Sequence, residues 1–231
     1  AVSVWTGRQN AGGSSDDRNA EEEEKTENDE NVGSLVIYRE NRKDFADVCG
    51  QEMAKRAAEI AAAGFHNLLL VGPPGSGKSM IAERIPTIMP LMSREESIAV
   101  TKICSMSGKL QKGEGMVWQR PFLQPHHTIT AQALVGGGNT PMPGIVTLAH
   151  RGVLFLDELP EFGREKLDLL RQPVEDKKVQ IIRARYACTY PSDFLLVGAM
   201  NIETCNLLFI RRVKRCKHRK NALFRGWMRI T

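Results

Sequence analysis

Gly72-Pro73-Pro74-Gly75-Ser76-Gly77-Lys78-Ser79 satisfies the pattern Gly-x-x-x-x-Gly-Lys-Ser/Thr, whose residue types together hold the phosphates of a nucleoside triphosphate. The glycines let the backbone turn its N–H groups inward around an anion, and a helix opening at Lys78 adds the positive end of its dipole. Lys78 supplies a point charge to the β- and γ-phosphates, the Ser79 hydroxyl can enter the octahedral shell of Mg²⁺, and Met80 is the next position of the same cradle. The chemistry predicted is binding of ATP or GTP with magnesium.

A second constellation follows 79 positions beyond Lys78, where Asp157-Glu158 ends the apolar run Val153-Leu-Phe-Leu156. Asp157 is expected to hold the magnesium through its waters and Glu158 to act as general base toward the attacking water, which implies hydrolysis. The bland alternative is a solvated acidic turn. Asn201 closes a third apolar run, where its amide could reach the γ-phosphate or the water in a sensor-1 role, or serve as an ordinary turn residue. His126-His127 is read as no metal site, because neighbouring histidines on a strand diverge and no third ligand is spaced nearby. Arg183 and Arg185 share a face if residues 179–186 form a strand. They present charge to nucleic acid or to a neighbouring subunit, or form a solvated face.

These groups need elements that hold them. Residues 51–63 are alanine-rich and helical in pattern, with Gly64 expected as the C-cap. The run 67–71 reads as a buried strand entering the glycine loop, followed by a helix from Lys78. Ser93-x-x-Glu96 opens another helix as a capping box, to about Met106. A Pro- and Gly-rich insertion runs from Pro121 to Gly144, 153–156 is a second strand, 164–172 a short helix, 179–190 a hairpin, and 194–199 a third strand. Strands alternating with helices predict a doubly wound α/β fold with ligand at the strands' carboxyl ends, where the motifs fall.

The stretch from Asp44 to Asn201 resembles the magnesium-chelatase-like AAA+ ATPases, and within them the ComM/YifB group. The resemblance rests on Asp44-Phe-Ala-Asp-Val-x-Gly-Gln-Glu52, Gly64-x-His-Asn-Leu-Leu-Leu70, Arg120-Pro-Phe122, Pro125-His-His-Thr128, Leu134-Val-Gly-Gly-Gly138, Leu148-Ala-His-Arg-Gly-Val-Leu-Phe-Leu-Asp-Glu158, Leu169-Leu-Arg-Gln-Pro-x-Glu-Asp176 and Ala199-Met-Asn201. It implies a P-loop parallel sheet flanked by helices, ATP and Mg²⁺ as ligands, a homo-hexameric ring, and DNA as the substrate moved in branch migration. It also implies that residues 121–147 and the hairpin 177–190 face a central pore. A chelatase-type motor subunit and an ATP-binding remnant without turnover are the competing readings.

Charge is unevenly divided. Residues 1–43 hold 6 basic and 10 acidic side chains, residues 44–201 hold 17 and 16, and residues 202–231 hold 9 and 1. A near-neutral core does not carry a nucleic-acid footprint of its own. Residues 1–43 are expected to be a disordered acidic arm. Residues 202–231 depart from the family's pattern and read as a shifted reading frame or as a basic DNA-binding tail. On that reading the arginine finger, sensor 2 and lid are missing and turnover by this chain is poor. With no long apolar run, no secretory signal and five scattered cysteines, the expectation is a cytoplasmic protein with reduced thiols and no membrane partner.

Overall fold

The computed structural model describes residues 43–110, 115–138, 142–183 and 186–201. The acidic arm to residue 42, the basic segment 202–231, Arg185 and the side chain of Arg183 lie outside the described residues.

Four parallel strands form the main sheet in the order β1 (Leu68–Gly72), β8 (Leu195–Asn201), β5 (Val153–Leu156) and β2 (Phe122–Leu123). Leu70 pairs with Ala199 and Phe155 with Val197, so the last strand in sequence lies between the two that carry the glycine loop and the acid pair. Every residue of β5 is buried, as a strand covered on both faces requires. Its alternation divides two cores: Val153 and Phe155 pack with Ile81, Ile85, Ala61 and Val197, while Leu154 and Leu156 pack with Phe162, Ile145, Leu134 and Met200. Stacking of Phe155 on Phe122, ring centroids 6.0 Å apart, seals the first core against the edge strand.

Helices α1 (Glu52–Gly64) and α2 (Lys78–Ile88) supply Ala58, Ala61, Ala62, Ile81, Ala82 and Ile85 to that first core. Small alanines on α1 let the helix approach the sheet closely. Helix α3 (Arg94–Met106) opens with the expected capping box: Ser93 Oγ accepts from the Glu96 N–H, and the Glu96 carboxylate accepts from the Ser93 N–H. The second core is covered by α4 (Ala131–Val135), α5 (Ile145–Leu148), α6 (Gly163–Leu169), α7 (Arg171–Asp176) and the antiparallel hairpin β6 (Lys178–Arg183) with β7 (Tyr186–Pro191). A short ribbon, β3 (Gly136–Gly137) with β4 (Met142–Pro143), links α4 to α5.

Four local expectations change. The left-handed residue ending α1 is Phe65 at φ 54°, not Gly64, which is the last helical residue and lies against the exposed His66 ring. The insertion begins after Leu123, because Phe122 and Leu123 are buried partners of Val153 and Leu154 in the main sheet. The helix expected over 164–172 breaks at Leu170. A continuous helix would need an N–H from Pro173 to reach Leu169, and proline at the third position of α7 has none to give. His126 and His127 lie in a turn rather than on a strand, with rings 4.0 Å apart instead of diverging.

The amino ends of the strands are braced by charge. Arg120 donates to the Pro90 carbonyl at 2.6 Å and the Arg151 carbonyl at 2.7 Å. Arg151 pairs with Asp193 at 2.8 Å and with Glu96 at 3.5 Å, and Lys177 reaches Asp193 at 3.1 Å. The brace ties the starts of β2, β5, β6 and β8 together and leaves their carboxyl ends for the site. Gly152 permits it: a Cβ there would overlap the Pro121 carbonyl, which accepts from the Val153 N–H at 2.7 Å.

Candidate nucleotide-binding site

The loop from Gly72 to Gly77 joins the carboxyl end of β1 to the amino end of α2. Gly75 and Gly77 take φ +74° and +83°, a conformation in which an L side chain is strained. Gly72 is buried at the strand's end, where a Cβ would meet Ser76 Oγ at 2.9 Å. Pro73 and Pro74 are exposed at the tip, and the Ser76 N–H closes a turn on the Pro73 carbonyl at 3.3 Å. Lys78, Ser79 and Met80 form the first turn of α2, whose N–H groups have no acceptor within the helix and face the loop's concavity. Gln51, in the left-handed region at φ 55°, reaches over the loop to the Ser76 carbonyl at 3.3 Å.

Lys78 Nζ donates to the carbonyls of Gly72 at 3.1 Å and Pro73 at 2.9 Å, and to Asn201 Oδ1 at 3.1 Å. Ser79 Oγ donates to Asp157 Oδ2 at 2.9 Å. Both contacts join α2 to neighbouring strand ends, so Lys78, Ser79, Asp157 and Asn201 converge as the spacing predicts. Asp157 and Asn201 are half-buried.

Glu158 follows at φ 49° and ψ 46°, a left-handed conformation uncommon for a residue other than glycine. Its N–H donates to Asp157 Oδ1 at 3.0 Å, so one acid orients the backbone of the next. The turn sends the two carboxylates apart: Asp157 toward Ser79, Glu158 into a cavity of about 150 Å³ lined by His127, Glu158, Pro160, Glu161 and Asn201. His127 Nδ1 lies 3.9 Å from Glu158 Oε2.

The donor set fits a magnesium nucleotide. A hydroxyl and a carboxylate 2.9 Å apart are oxygen ligands of the kind Mg²⁺ takes, and Lys78 stands beside an anion-binding helix end. Among the described residues no cluster of three His, Cys, Asp or Glu is arranged to hold a metal by protein groups alone. Gln51 and His127 were present in the sequence motifs without a role toward this site. The signal for Gln51 was its Gly-Gln motif, but its target lies 25 residues away and shows only in the fold.

The profile of the family magnesium chelatase, subunit ChlI, matches residues 44–231, which extends beyond Asn201. The chain is 51% identical over 169 residues to the YifB protein of Escherichia coli K12, covering 72% of this chain and 33% of that one. It is 49% identical over 162 residues to the competence protein ComM of Haemophilus influenzae, covering 70% and 31%. The chain thus spans about a third of the length of these relatives. In fold it is similar to a chain from the complex of magnesium chelatase subunits BchI and BchD, with TM-score 0.54 and 22% identity over 69% of this chain and 56% of that chain. A parallel sheet with its loop, acid pair and asparagine at adjoining strand ends, matched by a family profile over most of its length, belongs to the magnesium-chelatase-like AAA+ family.

Proposed function

We propose that the chain binds ATP with Mg²⁺ at this site, and that the complete protein hydrolyses it and uses the energy as a ring-shaped motor on DNA. The observation that carries the reading is the pair of contacts Lys78–Asn201 at 3.1 Å and Ser79–Asp157 at 2.9 Å, which bring the glycine loop and the ends of two neighbouring strands together. On binding, Lys78 exchanges the carbonyls of Gly72 and Pro73 for phosphate oxygens, a stronger charge-assisted partner. Ser79 and Asp157 hold the ion, which when bound neutralises charge developing on the β- and γ-phosphates. Glu158 takes the proton of the water attacking the γ-phosphorus as the bond to the β-phosphate oxygen breaks and ADP leaves. The Asn201 amide orients that water.

DNA as the second substrate is supported by the likeness to a competence protein at 49% identity, and Arg183 and Arg185 are the first charges to remove in testing it. A chelatase-type motor acting on a protein partner is the second reading, favoured by the family profile's own description. ATP turnover by a full-length protein carrying this core separates them. Stimulation by single-stranded DNA, abolished with Arg183→Ala and Arg185→Ala together, is expected. Turnover indifferent to DNA but raised by a protein partner supports the chelatase reading. Glu158→Gln should retain ATP while turnover falls by roughly 10²- to 10⁴-fold, the usual size of a general-base contribution. Binding with no turnover even in the unaltered protein leaves only an ATP-binding remnant.

A further inference from the structure

The carboxylate assigned as general base stands on a turn that does little to aim it. Glu158 is at the surface, its side chain 58% exposed, and its left-handed backbone points it away from Asp157. Among the described residues the side chain that faces its carboxylate is His127, Nδ1 to Oε2 3.9 Å, across the cavity that also touches Asn201. That distance is beyond a hydrogen bond, but a shift of the exposed carboxylate by roughly 1 Å closes it.

The backbone of His127 is tied to the neighbouring helix. Its carbonyl accepts from Lys166 Nζ on α6 at 2.6 Å, and its ring packs on His126 with centroids 4.0 Å apart. His126 is tied to Thr128 Oγ1 at 2.9 Å, and its carbonyl accepts from the Ile129 N–H at 3.0 Å. An imidazole on a tied backbone therefore faces the exposed Glu158 carboxylate at the mouth of the site. An exposed pair of this kind adds little to stability. Its consequence is directional: a base displaced by an ångström loses much of its effect on rate.

We infer that His127 is a positioning residue for Glu158, fixing the carboxylate toward the attacking water without itself touching the nucleotide. The inference rests on the reading of Glu158 as general base. It also gives a role to His127 of the Pro125-His-His-Thr128 motif.

The test uses the full chain with His127→Ala, His127→Gln and His126→Ala, reading three quantities: affinity for a fluorescent ATP analogue, hydrolysis of bound γ-labelled ATP in a single turnover, and thermal midpoint. His127→Ala is expected to slow hydrolysis by roughly ten- to hundredfold, with affinity and midpoint unchanged. His127→Gln, whose amide can still donate to the carboxylate, should recover part of the rate, and His126→Ala, which leaves the imidazole of His127 and its backbone tie to Lys166 in place, should keep most of it. Unaltered hydrolysis in His127→Ala overturns the inference alone. Equal losses in both alanine variants with a lowered midpoint show a role in loop structure and overturn it too. An unaltered chain that binds ATP and never cleaves it overturns the reading of Glu158, and the role of His127 with it.

Discussion

Lys78 Nζ stands 3.1 Å from Asn201 Oδ1, though 123 residues separate them in the chain. The contact follows from the strand order. With β8 lying between β1 and β5, the ends of all three strands adjoin, and the lysine after β1 meets the amide that ends β8. The same order brings Ser79 to Asp157. Two contacts thus tie the start of α2 to the sheet, at the place where the proposed function puts a phosphate and its ion.

The Ser79–Asp157 pair predicts that ATP binding depends on magnesium through these two side chains. The thermal midpoint of the unaltered chain should rise more with ATP and Mg²⁺ than with ATP and a chelator. A tenfold gain in affinity from the ion is about 1.4 kcal/mol, which at this size is a shift of roughly 2–4 °C per kcal/mol. Asp157→Ala and Ser79→Ala should each erase the difference between the two conditions in a thermal-shift series.

His150 predicts how stability depends on pH. Its Nδ1 accepts from the Asp193 N–H at 3.1 Å, which only an unprotonated ring nitrogen can do. Burial, and then the neighbouring Arg151 charge, lower its pKa from 6.5 to about 4, against the opposing pull of Asp193 and Glu96. The unfolded chain therefore takes up this proton near pH 6.5 while the folded chain resists until about pH 4. The contribution is complete above pH 6.5 and is lost as pH falls toward 4. Its size is of the order of 3 kcal/mol. Urea unfolding across this range should show the decline, and His150→Asn, which keeps an acceptor without the titration, should flatten it.

Gly152 predicts a stability defect with no change at the site itself. A Cβ there has only the Pro121 backbone to displace, and Pro121 is fixed by the strand pairing of Phe122 with Val153. Gly152→Ala should cost about 3 kcal/mol or more in urea unfolding, at or beyond the upper end of ordinary overpacking. Ala149→Gly, close in sequence and buried, is a useful comparison: it makes space instead of filling it.

What could be read without coordinates was whatever the chain encodes within a few neighbouring residues. The glycine loop, the acid pair after four buried apolar residues, and the Ser93 capping box are local, and each is found where its spacing puts it. Strand β2 escaped because two residues, Phe122 and Leu123, are too short to show a period. Gly64 fits the pattern of a cap because glycine often is one, but the helix runs one residue further and Phe65 takes the left-handed conformation. The brace of Arg120, Arg151 and Asp193 joins residues 31 and 42 positions apart, and no local pattern encodes such pairs. The orientation of His127 is not legible for one physical reason: strand geometry would separate two adjacent histidines, whereas the turn brings their tilted rings within 4.0 Å and leaves one 3.9 Å from Glu158.

The central claim is that Lys78 grips the phosphates of ATP, and calorimetric titration of Mg·ATP into the chain with and without Lys78→Ala tests it most directly. The substitution removes a charged partner of phosphate worth roughly 1.5–3 kcal/mol, so affinity should fall at least about tenfold. The fold should be kept, since Lys78 is half-buried and its partners are loop carbonyls and Asn201. Equal affinity in the two proteins, or no heat of binding in the unaltered one, would contradict the account.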